Sequence, residues 1–403
     1  MGKKGRRHDP RRIHRADGQV EHAAAQAARR WPALTGLRGL AALGVLLFHA
    51  FVLAGQPRDL PAPVTWLFAY GWSGVDVFFT LSAFLLTLPF LPSVPVPAAE
   101  RPPSLLTYGR NRLLRILPAY YAQMAVLLAV GLAGMGGALG WPRLDAGLFL
   151  ANAAFLYGAM PSIDPMVPPW WTLPVELAFY LVLPLFLRLL RPGRWQWMLL
   201  AVVASLVYRI LLMQAGLTRT QEVAWIEHVP GRLHQFLVGM LAAYAYARLR
   251  ARSALPGPGR ADLLAFAAGA AFIALPALGW LASGGPFQGG PVAQPFLASW
   301  HLFASLVVAV MLLALAAGAP RARKLLSAGP LQALGVVSYS LYLWHYPVML
   351  GLREALGGRE AIGRDFWPFL AYSVIFSTLA AAVSWWLVER PAQRWSRQAK
   401  LPA

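Results

Sequence analysis

The 403-residue sequence contains no cysteine. Disulfides, thiolate metal sites and a cysteine nucleophile are therefore excluded. Acidic residues are also scarce, with 16 Asp and Glu against 36 Lys and Arg. Charge of either sign makes up 13% of the chain, against the roughly 25% of ordinary soluble domains. The eight histidines form no HExxH or other close-set spacing, so no metal site and no tightly bound cofactor are expected.

What fills the chain is apolar. Hydrophobic residues make up 58% of it and the mean hydropathy is +0.51, which marks an all-α, polytopic protein embedded in a lipid bilayer. The net charge of +20 does not call for nucleic acid. It lies in a basic tail and in short connections between apolar stretches, where Lys and Arg set topology by staying in the cytoplasm. The tail, residues 1–30, carries Lys3, Lys4, Arg6, Arg7, Arg11, Arg12 and Arg15 and little that builds a core. It reads as a disordered cytoplasmic extension able to touch anionic lipid. The first apolar stretch is too long for a signal peptide and reads as a retained anchor helix.

Stretches of about 20 apolar residues fall near residues 34–55, 65–90, 117–136, 170–188, 196–215, 232–248, 262–282, 297–317, 331–351 and 367–388, giving about ten transmembrane helices. Residues 146–160 are shorter and lead into a proline-rich segment, which suits a re-entrant or interfacial helix. With the amino terminus inside, the even-numbered spans end at Arg101, Arg110, Arg112 and Arg115; at Arg188, Arg191 and Arg194; at Arg248, Arg250 and Arg252; at Arg321, Arg323 and Lys324; and at Arg390 and Arg394. The outer loop 284–295 has no charge. Both termini are thus expected in the cytoplasm of a multi-pass cell-membrane protein, with one membrane domain over residues 31–396 and a short end at 397–403.

Ionisable side chains inside such helices cost roughly 2.5–3.5 kcal/mol each on insertion scales and mark functional paths. Arg38 and His49 share the first span. Eleven residues are close to three full turns, so both project from one face, about 16 Å apart along the axis. In an unbroken helix Arg38 therefore cannot orient His49. Each alone admits a bland reading, Arg38 snorkelling to the surface and His49 bonding a neighbouring helix.

Four further segments carry polar groups at membrane depth. The second span holds Asp76, Thr80 and Ser82, with Asp76 readable either as a site residue or as the structural partner of an Arg. Arg112 and Arg115 begin the third span at a spacing that suits a phosphate clamp, or simple anchoring. Glu176 sits among Trp171, Phe179 and Tyr180, a carboxylate in an aromatic setting. His345 follows Ser338, Tyr339, Ser340, Tyr342 and Trp344, while Glu389 and Arg390 read as a helix terminus with a local ion pair.

In this order the segments resemble the acyltransferase 3 family of integral membrane O-acyltransferases. The resemblance rests on Arg38 with His49, Gly74-Val75-Asp76-Val77-Phe78-Phe79, Leu81-Ser82-Ala83-Phe84, Arg112 and Arg115 with Pro118 and Tyr120, Trp171 to Glu176 with Phe179 and Tyr180, Ser338-Tyr339 to His345, and Glu389-Arg390-Pro391. Ala83 stands where the family commonly has Gly, and Pro174 where it has a small polar residue. The resemblance implies acyl-coenzyme A as donor, acetyl by default, and a hydroxyl of a glycan or glycolipid as acceptor. On that expectation Arg38, Arg112 and Arg115 would receive the donor's phosphates or pantetheine arm near the inner face, and His49, as a neutral imidazole near pH 7, is the candidate general base. Glu176 would orient that imidazole, bind the sugar, or act as the base itself. Asp76, Ser82, Trp171, Tyr180, Tyr342 and His345 would bind substrate or support the site. A transporter or flippase could use the same intramembrane charges, but it would leave its cargo chemically unchanged.

Overall fold

The computed structural model describes residues 31–57, 59–91, 94, 104–141, 145–160, 162–283 and 293–398. The basic tail, Arg101, most of the uncharged loop 284–295 and the last five residues lie outside the described residues. Among those described, every regular element is helical. The α-helices are α1 (Pro32–Leu53), α2 (Ala62–Ala69), α3 (Gly74–Thr87), α4 (Leu105–Leu132), α5 (Ala146–Ala153), α6 (Thr172–Leu187), α7 (Gln196–Met213) and α8 (Arg219–Trp225). They continue as α9 (Val229–Ala251), α10 (Pro258–Ser283), α11 (Ala293–Ala317), α12 (Pro320–Leu326), α13 (Gly329–Val336), α14 (Ser338–Ala355), α15 (Gly358–Arg364), α16 (Phe366–Ser384) and α17 (Arg390–Gln398).

Seven helical segments among the described residues are long and apolar enough to cross a membrane. The other three predicted stretches, in α9, α10 and α13–α14, are helical as well. In α9, Arg232, His234 and Gln235 are buried, and a helix with such groups inside reads as less apolar than its neighbours. The protein is a polytopic membrane protein. Helix α5 has eight residues, about 12 Å at 1.5 Å per residue, too short to cross.

The first helix is the axis around which the site is built. Pro32 opens α1, where its missing N–H costs nothing, and the small residues that follow admit other backbones. A Cβ on Gly39 would run into the carbonyl of Leu331 and the amide of Gly335, and one on Gly335 into the carbonyl of Thr35. Lipid supplies no hydrophobic drive between helices, so such close backbone contact is what joins α1 to α13. Gly239 plays the same part where α9 meets the Thr80 carbonyl of α3.

Prolines leave carbonyls that must be satisfied in the bilayer. Pro347 lies inside α14, and its missing N–H frees the carbonyl four residues earlier, at Leu343. Gln123 of α4 donates its Nε2 to that oxygen at 2.7 Å and accepts from Trp170 Nε1 at 3.0 Å. Trp141 Nε1 donates to the Pro347 carbonyl at 2.9 Å. These bonds hold α14, and with it His345, against α4 and the 3₁₀ turn Pro168–Trp171.

Candidate active site

Arg38 and His49 line two different cavities at successive depths along α1. The larger, about 450 Å³, is lined by Arg38, Ser82 of α3, Arg112 and Arg115 of α4, Glu176 and Tyr180 of α6, and Tyr342 of α14. The smaller, about 70 Å³, is lined by His49, Trp72, Asp76, Trp171, Arg232 and His301. Val75 and Tyr342 belong to both linings and form the wall between them.

In the larger cavity the arginines are unequally engaged. Arg115 pairs with Glu389 at 3.0 Å. Arg38 and Arg112 make no hydrogen bond or ion pair among the described residues, and Arg112 Nε, Tyr108 Oη and Ser338 Oγ are buried without a partner. A buried polar atom left unpaired costs about 1–3 kcal/mol, so these groups around one cavity are suited to receive a polar ligand. Glu176 accepts from Tyr180, one turn further along α6, and from Ser82 Oγ at 3.4 Å.

Two sequence expectations are corrected here. Glu176 does not orient His49: it lines the other cavity, and the hydrogen bonds of His49 go to His345 and Val45. Nor is Glu389 a terminal group with a local pair. A π-type turn, Trp385–Glu389, leaves it 2% exposed, where it accepts from Arg115 and from Ser340 Oγ at 2.5 Å. A carboxylate 274 residues away in sequence from its arginine has no local signal.

The histidine pair has a readable proton arrangement. His345 Nδ1 lies 3.0 Å from the Leu341 carbonyl, which only accepts, so Nδ1 carries the hydrogen. The Nε2 of neutral His345 is then an acceptor, and it takes the Nδ1–H of His49 at 3.0 Å. That N–H also faces the Val45 carbonyl at 3.0 Å. Nε2 of His49 is left with a lone pair and no partner among the described residues.

Asp76 is a structural hub. Fully buried, it accepts from Gln235 Nε2, from Trp300 Nε1 at 3.0 Å and from His301 Nδ1 at 2.7 Å, with Arg232 at 3.5 Å. Arg232 also pairs with Glu227 and lies over the Trp171 ring, 5.2 Å from its centroid. Glu227, in the loop before α9, is joined by Arg209 at 3.2 Å. Burial works against its charge, yet the two guanidinium groups hold its carboxyl below the usual range. Thr172 Oγ1 donates to Tyr342 Oη at 2.9 Å, and Tyr342 Oη donates to the Pro169 carbonyl at 2.6 Å, fixing the shared wall.

Sequence reasoning missed Arg232, His301, Glu227 and Gln235. Arg232 and Gln235 were legible as polar groups within the apolar stretch 232–248, and His301 within 297–317. What was not legible is that both stretches meet Asp76.

The model of the acyltransferase domain family matches residues 31–389. The exopolysaccharide production protein ExoZ of Rhizobium meliloti is 27% identical over 366 residues, covering 89% of this chain and 98% of that protein. The putative peptidoglycan O-acetyltransferase YrhL of Bacillus subtilis is 26% identical over 385 residues, 89% of this chain but 54% of its own length, so the chain spans about half of that relative. The acyltransferase MdmB of Streptomyces mycarofaciens is 26% identical, covering 88% of each chain. No solved structure matches. With helices suited to a bilayer, polar groups gathered in two cavities inside them and a family match over nearly the whole described chain, this protein belongs to the acyltransferase domain family and is an integral membrane acyltransferase of groups other than amino-acyl groups.

Proposed function

We propose that the protein transfers an acyl group, acetyl by default, from cytoplasmic acyl-coenzyme A to a hydroxyl of a glycan or glycolipid. The observation that carries this reading is the pair of cavities sharing one wall: a large one in which Arg38 and Arg112 have no partner among the described residues, and a small one into which the Nε2 lone pair of His49 is free to act. The donor is long and polyanionic. Arg38, Arg112 and Arg115 would receive its phosphates or its pantetheine arm by charge-assisted hydrogen bonds, and its thioester would pass Val75 and Tyr342 toward His49. Among the relatives, YrhL is named as an O-acetyltransferase of peptidoglycan and ExoZ as a protein of exopolysaccharide production, which favours a surface glycan as acceptor.

The chemistry is direct transfer. His49 Nε2 takes the proton of the acceptor hydroxyl as its oxygen bonds to the thioester carbonyl carbon. The tetrahedral intermediate collapses with cleavage of the C–S bond, and the thiolate recovers that proton from His49. General base catalysis of this kind is worth about 10²- to 10⁴-fold. Glu176, held by Tyr180 and Ser82 in the larger cavity, falls to a donor-side role.

The test is purified protein in lipid nanodiscs with radiolabelled acetyl-coenzyme A and soluble glycan fragments. Label should move covalently to the glycan with wild type and not with His49→Ala present at equal level. Movement of glycan across the bilayer without covalent change would replace this reading with transport.

A further inference from the structure

His301 lines the smaller cavity and has no part in the mechanism above. Three unambiguous N–H donors converge on Asp76, Gln235 Nε2, Trp300 Nε1 and Arg232 Nη1, and the ring of His301 joins them at 2.7 Å. A carboxyl oxygen that already receives such donors acts as an acceptor toward the imidazole as well. Nδ1 of His301 therefore carries its hydrogen, and Nε2 of the neutral ring has a lone pair with no partner among the described residues. This is the same proton arrangement that His345 imposes on His49, reached from another helix by another partner.

The two imidazoles line one space of about 70 Å³, enough for about five to seven water-sized groups at 10–15 Å³ each. An acyl carbon and the hydroxyl-bearing edge of a sugar fit; a whole ring or a long acyl chain does not. Among the other polar groups of this lining, Asp76, Arg232 and Tyr342 are already engaged. Arg232 faces Glu227, Asp76 and Gln235, and Tyr342 Oη donates to Pro169. The space thus offers two imidazole lone pairs as acceptors for O–H groups, beside the indole N–H groups of Trp72 and Trp171. Trp72, whose ring centroid lies 5.5 Å from that of His301 at an interplanar angle of 68°, supplies an apolar wall.

We propose that His301 is a substrate-binding residue that reads the acceptor: its Nε2 accepts a hydrogen bond from the hydroxyl next to the one acylated, while His49 takes the proton of the reacting hydroxyl. The acceptor class is accordingly a vicinal diol edge of a sugar. This rests on the acyl-transfer reading above. The residue selects which substrates react and takes no part in breaking the C–S bond.

The experiment compares wild type and His301→Phe in nanodiscs, with radiolabelled acetyl-coenzyme A and two probes: a methyl glycoside with a free vicinal diol and its monodeoxy counterpart. Wild type should prefer the diol by roughly 5- to 150-fold in kcat/KM, the range for one buried hydrogen bond left unmade. His301→Phe should treat both probes alike, with the acceptor KM raised and the donor KM at its wild-type value. A merely structural role would lower both rates and leave the preference standing, which overturns the proposal. If His301→Phe fails to accumulate, the wild-type comparison decides alone: equal use of diol and deoxy probes refutes it. Absence of transfer by wild type to either probe, or to glycan fragments, sinks the transfer reading itself. Transfer with no diol preference sinks only the role of His301.

Discussion

Replacing His345 tests the proton arrangement at its origin. His345 Nε2 accepts the Nδ1–H of His49 at 3.0 Å and is itself held by the Leu341 carbonyl at 3.0 Å. His345→Phe keeps a ring of similar size and removes the acceptor. The direct loss is one hydrogen bond, about 0.5–1.5 kcal/mol or roughly 2- to 12-fold in rate. The larger loss comes from freedom. Without His345, His49 Nδ1 retains only the Val45 carbonyl of its own helix, and its ring can turn. The upper bound is the whole value of the base, about 10²- to 10⁴-fold. A fall in kcat between these limits is expected, with the donor KM unchanged because Arg38, Arg112 and Arg115 line the other cavity. His345→Gln places an amide oxygen near the former Nε2, and it should recover a substantial part of the rate by accepting from His49 again. The assay is initial-rate transfer of radiolabel from acetyl-coenzyme A to glycan fragments in nanodiscs, at matched protein level. Full activity in His345→Phe, or no difference between Phe and Gln, would refute the reasoning.

Other perturbations separate the two cavities and the scaffold. Arg38→Gln should weaken donor use by roughly 10- to 150-fold in KM, the value of a charge-assisted hydrogen bond of about 1.5–3 kcal/mol, measured by titrating acyl-coenzyme A; an unchanged donor KM counts against its role. Glu389→Ala leaves Arg115 without its ion-pair partner. The cost should be about 3 kcal/mol, the lower end of the range for broken buried pairs because the Arg115 side chain is 22% exposed, seen as a lower unfolding temperature in detergent. Gln123→Leu orphans the Leu343 carbonyl that Pro347 has freed, a loss of about 1–3 kcal/mol, which the same thermal assay should report. Gly39→Val would drive a side chain into the Leu331 carbonyl of α13, and protein recovered from the membrane should fall sharply relative to Gly44→Ala, where the nearest atom, the Gly71 carbonyl oxygen, would lie 3.4 Å from the added Cβ.

Much was legible in the sequence because the bilayer is a severe solvent. It demands long apolar helices, so their places could be read from hydropathy, and it penalises stray charge, so Arg38, His49, Asp76 and Glu176 stood out. Helix periodicity even separated Arg38 from His49, because the rise per residue is a local property. What tertiary structure alone decided is which polar group faces which. His345 rather than Glu176 holds His49, Glu389 reaches back to Arg115, and Arg232 and His301 converge on Asp76 from two other helices. Those partnerships join residues up to 296 positions apart in sequence. They depend on how helices rotate and cross, set by close approaches such as Gly39 on Gly335, and a one-dimensional pattern does not specify a rotation.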